Sequence, residues 1–244
     1  MINSNEATSK YYNQLYSALR PKELTESEVS LINFITKPNS KILDVGGGTG
    51  RHAKILAQLG FKVTLVDSSH GMLRELNNGN HNIYVINKNI YTFKTKQKYD
   101  LIILMWNTFN EIAVTKKDAI RLLKILSKLL KTNGKILINI DDSKKVNPSE
   151  FNFKTMQSFN NNSLEGEWKT FKYNKRTNTS ISKETISFFK NGILKDTQTS
   201  YIKQRYWSLD EINKLAKLNR LDCITKKIDG VEELYLILSK QDYN

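Results

Sequence analysis

Apolar residues along this chain gather in short runs, separated by stretches in which they recur every three or four positions. The runs are KILDV (41–45), FKVTLVD (61–67), NIYVIN (82–87), YDLIILMW (99–106) and GKILINI (134–140). Each is of strand length. None alternates strictly between apolar and polar, as expected of strands covered on both faces. The helically spaced stretches between them lie at about 51–59, 69–78 and 116–131. Strand–helix alternation at this spacing predicts an α/β fold with a Rossmann-like, doubly wound, mostly parallel sheet. Ahead of it, residues from about 7 to 36 predict two helices. In the second, Thr25 and Glu28 have capping-box spacing before the apolar positions Val29, Leu31, Ile32 and Ile35. Pro38 and Asn39 then break the pattern.

The pattern changes after Asp142. Residues from about 151 to 206 are polar and rich in Asn, Thr and Lys, with alternating stretches such as ISKETISFF (181–189) and ILKDTQTSYI (193–202). Asn191-Gly192 between those two suits a tight hairpin turn, whose central residues need positive φ. A small antiparallel β insertion after the fifth strand is therefore expected. A helix at about 209–218 follows a Ser208/Glu211 cap, and CITKKI and ELYLILS supply two last strands, making seven in the main sheet. No internal repeat is visible.

Composition changes this picture little. A chain of 244 residues suits one large α/β domain carrying an insertion. No stretch approaches eighteen apolar residues, and the opening MINSNEATSKYY lacks an apolar core, so a cytoplasmic location is expected. Cys223 is the single cysteine, which leaves no internal disulfide and no cysteine-rich zinc site. The net charge of +14 raises RNA as a partner. The lysines, however, are scattered through every segment, as a biased genome composition would also produce.

The candidate chemistry sits in KILDVGGGTGRHAKILAQLGFKVTLVDSS. A strand ends at Asp44, and Gly46, Gly48 and Gly50 follow at every second position before a helix opens. Glycines there let the backbone turn tightly and approach a ligand without a Cβ in the way. The helix N-terminus behind them offers free N–H groups and partial positive charge. Asp67, at the tip of the next strand, can accept hydrogen bonds from both hydroxyls of a ribose. A dinucleotide fingerprint would require a third glycine where Arg51 stands, and Asp44 would repel a diphosphate. S-adenosylmethionine carries a sulfonium and an ammonium and no phosphate, and it suits the D-x-G-x-G-x-G arrangement better. A purely structural glycine turn is the bland alternative.

This run resembles motif I of the class I S-adenosylmethionine-dependent methyltransferases. Its Gly48-Thr49-Gly50-Arg51-His52-Ala53 is similar to the variant of a large, mostly uncharacterised bacterial small-molecule subgroup. The resemblance covers nearly the whole chain, through YYNQLY (11–16), Ser69-His70-Gly71-Met72-Leu73, MWNTFNEI (105–112), RYWSLDEINKLAKLNRL (205–221) and LYLILSK. It implies S-adenosyl-L-methionine as cofactor and S-adenosyl-L-homocysteine as product. By the resemblance, Asp44, Gly46, Gly47, Gly48 and Gly50 would line the methionine end of the cofactor. Asp67 with Ser68 would hold the ribose, and Met72 would pack on the adenine. Asn89 and Ile90 would face the adenine amino group, where Asn89 replaces the family's aspartate. Met105 and Tyr12 complete the cofactor set.

Trp106, Asn107 and Tyr16 are the substrate-binding candidates, weighed against a buried aromatic at a strand end and the apolar face of a helix. His52 and His70 read as helix-start or core residues, Asp141 and Asp142 as solvated acids, and Cys223 as core. No catalytic residue is assigned, because displacement at a sulfonium needs alignment more than a base. No metal is expected. The implied organisation is 1–36 as helices covering the cofactor site, 37–145 with 207–244 as the cofactor domain, and 146–206 as a lid or dimer contact. The expected function is methyl transfer to a nitrogen or oxygen of a small-molecule acceptor, by a monomer or homodimer. An RNA methyltransferase, a non-catalytic cofactor-binding module and a membrane-lipid acceptor are the alternatives.

Overall fold

A computed structural model describes residues 8–16, 19–76 and 82–241. Two helices, α1 (Ser9–Tyr16) and α2 (Lys22–Ile35), lead into β1 (Lys41–Val45), α3 (Arg51–Gln58), β2 (Lys62–Asp67), α4 (His70–Arg74) and β3 (Ile83–Asn87). Then come β4 (Tyr99–Leu104), α5 (Thr108–Ile112), α6 (Lys116–Leu129) and β5 (Leu130–Ile140). Four strands follow in hairpin succession, β6 (Asn152–Phe159), β7 (Asn162–Asn174), β8 (Thr179–Lys190) and β9 (Ile193–Arg205). The chain closes with α7 (Leu209–Leu218), β10 (Leu221–Lys226) and β11 (Leu234–Lys240).

The main sheet has the order β10-β11-β5-β4-β1-β2-β3. Strands β1 to β5 are mutually parallel, while β11 lies antiparallel between β5 and β10. The sheet is thus mixed, with a parallel body and one reversed strand. The chain moves outward in opposite directions from β1, toward β2 on one side and β4 on the other. A crevice opens at the strand C-termini at such a switch point. The apolar runs fill both faces: Leu43, Ile102 and Ile138 pack under α6 and α7, and Ile42, Leu65 and Leu101 pack under α2 and α3. No described helix is long and apolar enough to cross a membrane.

The insertion is a four-stranded antiparallel sheet in the order β6-β7-β8-β9. The Asn191-Gly192 turn carries the predicted positive φ at both residues. This sheet has its own small core with α1, made of Tyr11, Leu15, Tyr16, Leu164, Trp168 and Ile186. Gly166 makes room for that docking: a Cβ there would lie 2.6 Å from Leu15 and 2.5 Å from the Trp168 ring. At its centre the buried Glu184 accepts hydrogen bonds from Thr8 (2.7 Å), Ser200 (2.6 Å), Trp168 Nε1 (2.9 Å) and the Tyr16 hydroxyl.

Several expectations need correction. Helix α2 starts at Lys22 behind Pro21, so Thr25 and Glu28 are interior residues and form no capping box. The Ser208/Glu211 capping box does form. Strand β4 stops at Leu104, because Trp106 and Asn107 adopt left-handed backbone conformations (φ 49° and 61°) that no strand accommodates. The helix expected over 69–78 spans His70–Arg74, and residues 77 and 78 lie outside the described residues.

Candidate active site

The glycine loop turns sharply because Gly46, Gly48 and Gly50 all have positive φ (67°, 53° and 77°). A Cβ at Gly46 would come within 2.5 Å of Thr108, and one at Gly47 within 2.8 Å of the Asp44 carboxylate. Side chains are excluded there by close approach of α5 and of Asp44. Gly50 differs from the others. It precedes α3, a Cβ on it would strike Leu76 at 2.2 Å, and it does not line the cavity described below. Its glycine serves the turn and the packing.

Asp67, at the end of β2, accepts from the backbone N–H of Gly48 (2.9 Å) and of Ser69 (2.8 Å). These bonds aim the carboxylate. Asp44, at the end of β1, is buried, and its Oδ2 has no hydrogen-bond partner. Burial, reinforced by the nearby Asp67 charge and opposed by Arg51, pushes its pKa up to about 7. A buried acceptor without a donor is costly unless a ligand supplies one.

These residues form one end of a cavity of about 450 Å³. Asp44, Gly46, Gly47, Gly48, Asp67, Ser68, Met72, Asn89, Ile90 and Met105 line it, as do Tyr12, Tyr16, Trp106 and Asn107. Its far side is built by the inserted sheet, through Phe153, Trp168, Ser182, Ile202 and Gln204. The sequence reading assigned none of those five a role. Their alternation along β8 and β9 was the available signal, since Ser182 and Glu184, or Ile202 and Gln204, share one face. Asn89 Oδ1 accepts from the Tyr91 N–H (2.9 Å), so its side chain shapes the loop as well as lining it.

Trp106 forms the wall between the two ends. Its ring contacts Tyr12 and Tyr16 and lies under the guanidinium groups of Arg20 and Arg51 (4.9 and 5.7 Å to the ring centroid). Asn107 donates to Asp141 (2.8 Å) and accepts from Asn110 (3.1 Å), which ties the left-handed turn to the end of β5. Asp141 is therefore half-buried and engaged, and Asp142 is buried, so neither is the merely solvated acid expected.

His52 is buried and bonded to Glu28 at 2.8 Å. Burial comes first in holding its pKa below the ordinary value, so the neutral ring donates to the carboxylate. Burial opposes the charge on Glu28, but the His52 hydrogen bond with Arg51 and Arg20 outweighs it and holds that carboxyl at about 2. His52 thus packs α3 onto α2. His70 is exposed, and Cys223 is half-buried on β10 rather than core.

Arg51 and Glu111 also line the cavity, and neither was assigned a role from sequence. Glu111 falls one helical turn after Asn107, which was the available signal. Among the described residues, no cluster of three or more His, Cys, Asp or Glu is placed to hold a metal ion.

A cationic adenosyl ligand fits this donor set. The orphaned Asp44 oxygen suits a cationic group, the close-approach glycines leave a side-chain-free cradle, and the Asp67 carboxylate lines the same cavity, where a diol can donate to it. Fold and site together define a class I methyltransferase. Consistent with this, the profile of a methyltransferase-domain family matches residues 14–178, and the chain belongs to that family. It is an S-adenosylmethionine-dependent methyltransferase. No curated protein matched the sequence. Among solved structures it is similar to the CcbJ methyltransferase from Streptomyces caelestis, with 15% identity, TM-score 0.78 and 97% of each chain covered. It is also similar to the sugar N-methyltransferase KedS8 from Streptoalloteichus sp ATCC 53650, with 10% identity, TM-score 0.79, and 95% of this chain and 93% of that one covered. A third is CalS10, an amino pentose methyltransferase from Micromonospora echinaspora solved with the cofactor bound, with 12% identity, TM-score 0.76, and 93% and 96% covered.

Proposed function

We propose that the enzyme methylates a nitrogen or oxygen of a small-molecule acceptor enclosed beneath the inserted sheet. One observation carries this reading: a single cavity joins the glycine loop to Phe153, Trp168, Ser182, Ile202 and Gln204 of the insertion. Residues 146–206 then act as a lid. A chamber of about 450 Å³ is in the range of small-molecule sites. A nucleic-acid strand would instead need an open basic groove. Two structural neighbours, a sugar N-methyltransferase and an amino pentose methyltransferase, support the same acceptor class.

In this reading Asp44 and Gly46–Gly48 take the methionine end, Asp67 the ribose hydroxyls, and Met72 with Ile90 the adenine. Bound S-adenosylmethionine supplies an electrophilic methyl group. The protein orients the acceptor against Trp106, Tyr12 and Tyr16 and keeps water out. The test is incubation of the purified enzyme with methyl-labelled cofactor and a host extract. Label in the small-molecule fraction is expected, and label in RNA that nuclease releases would overturn the proposal.

A further inference from the structure

Among the described residues three carboxylates line the cavity, and they differ in what holds them. Asp67 is fixed by two backbone N–H groups, and Asp44 lies beneath the glycine loop. The Glu111 backbone N–H bonds to the Asn107 carbonyl, but its carboxylate has no hydrogen bond and no ion pair to any described residue. Nearby carboxylates outside the loop are satisfied: Glu184 by four donors, Glu28 by His52, Arg51 and Tyr235, and Glu233 by Arg20 and Asn139. Like the orphaned Asp44 Oδ2, a half-buried carboxylate left without a donor is explained most simply by a ligand that brings the donor.

Its segment is tied down on both sides. The preceding Trp106 and Asn107 hold left-handed backbone, a costly conformation kept where the surroundings demand it. Asn107 is anchored to Asp141, Thr108 Oγ1 donates to the Met105 carbonyl (2.7 Å), and Phe109 is buried against Trp207. The Tyr12, Tyr16 and Trp106 rings, whose faces attract cations, line the same cavity. The two arginines near those rings are already engaged, Arg51 by Glu28 and Arg20 by Glu233.

We infer that the acceptor is an amine, and that Glu111 binds its ammonium form and takes one proton from it. The inference rests on the small-molecule reading above. The N–H bond breaks toward nitrogen, so its electron pair stays there as the lone pair, and the proton passes to a Glu111 carboxylate oxygen. The neutral amine can then accept a methyl group. An alcohol holds its proton far too tightly for this carboxylate to remove. The groups facing Glu111 are Asp67 from β2, Glu184 from β8, Tyr12 from α1 and Tyr206 after β9, with Asp141 beyond β5 acting on Tyr206. Burial, then the charges of Asp67 and Glu184, push Glu111 up to about 8. That makes Glu111 a stronger base than an ordinary carboxylate and brings it closer to an amine.

The test takes the small-molecule extract with and without prior acetylation of its amines by N-hydroxysuccinimidyl acetate. Labelled product is expected to bind a cation exchanger and to vanish after acetylation. Small-molecule label that survives acetylation overturns the amine inference alone, whereas label in RNA overturns the small-molecule reading beneath it. Glu111→Gln is expected to bind S-adenosylhomocysteine within about twofold of wild type by calorimetry, yet to lose about a hundredfold in label transfer. Sinefungin, which carries an amine in place of the sulfonium methyl, supplies a readout independent of turnover. Its affinity should fall in Glu111→Gln at least tenfold more than that of S-adenosylhomocysteine, and equal changes for the two ligands would overturn the role of Glu111.

Discussion

Arg20 and Glu233, 213 residues apart in sequence, meet in a two-point hydrogen bond (2.5 and 3.2 Å) that clamps the end of the N-terminal arm to the edge of β11. Asn139 donates to the same carboxylate at 2.6 Å, and the Arg20 guanidinium lies over Trp106. The pair thus braces the wall of the chamber from behind.

Breaking this clamp is expected to be costly because both side chains are largely withdrawn from solvent, 5% and 17% exposed. Arg20→Ala or Glu233→Ala should each lower stability by about 3 kcal/mol, since each strands a buried charge. The double variant should lose clearly less than the sum of the two. Denaturant unfolding of the four proteins measures this, and additive losses would show that the two residues act independently.

Glu184→Ala leaves the buried donors of Thr8, Tyr16, Trp168 and Ser200 without an acceptor. Each unsatisfied buried donor costs about 1–3 kcal/mol, and releasing α1 is the cheapest relief. Protease cleavage within α1 should therefore accelerate before the main sheet unfolds. Cleavage unchanged from wild type would mean that apolar contacts alone hold the helix.

Asp67→Asn places an amide where Gly48 and Ser69 both present N–H groups, so one of those donors loses its acceptor. Affinity for S-adenosylhomocysteine should fall ten- to a hundredfold by calorimetry, from about 1.5–3 kcal/mol for hydrogen bonds to a charged group. An unchanged affinity would remove Asp67 from the cofactor site.

Asp44 predicts a proton linkage. Its folded pKa of about 7 lies above the ordinary 3.8, so between those values the fold holds a proton that the unfolded chain has released. Stability of the ligand-free enzyme should accordingly decline as pH rises from about 4 to 7, and this contribution should level off above 7. A cationic cofactor favours the carboxylate and lowers that pKa, so binding at pH 6 should release protons. Calorimetry in buffers of different ionisation enthalpy reads that release, and Asp44→Asn should reduce it.

Local sequence carried much of this protein. The apolar runs placed β1 to β5 because strands covered on both faces need unbroken hydrophobic character. The glycine spacing after Asp44 located the loop because only glycine tolerates its positive φ beside Thr108 and Asp44. Ser208 with Glu211 and the Asn191-Gly192 turn were legible for the same reason, as each is decided within a few residues. What the sequence could not disclose were relations across long separations. Thr25 and Glu28 looked like a helix cap, yet burial against α3 made them partners of Arg51 and His52. Trp106 read as the last residue of a strand until tertiary packing turned it left-handed. Glu111 was one acid in a short loop, and only the fold determined that donors would surround Glu184 and leave Glu111 open to the cavity. Backbone conformation is set largely by neighbours in sequence, whereas the partner of a buried polar group is set by whatever the fold brings to it.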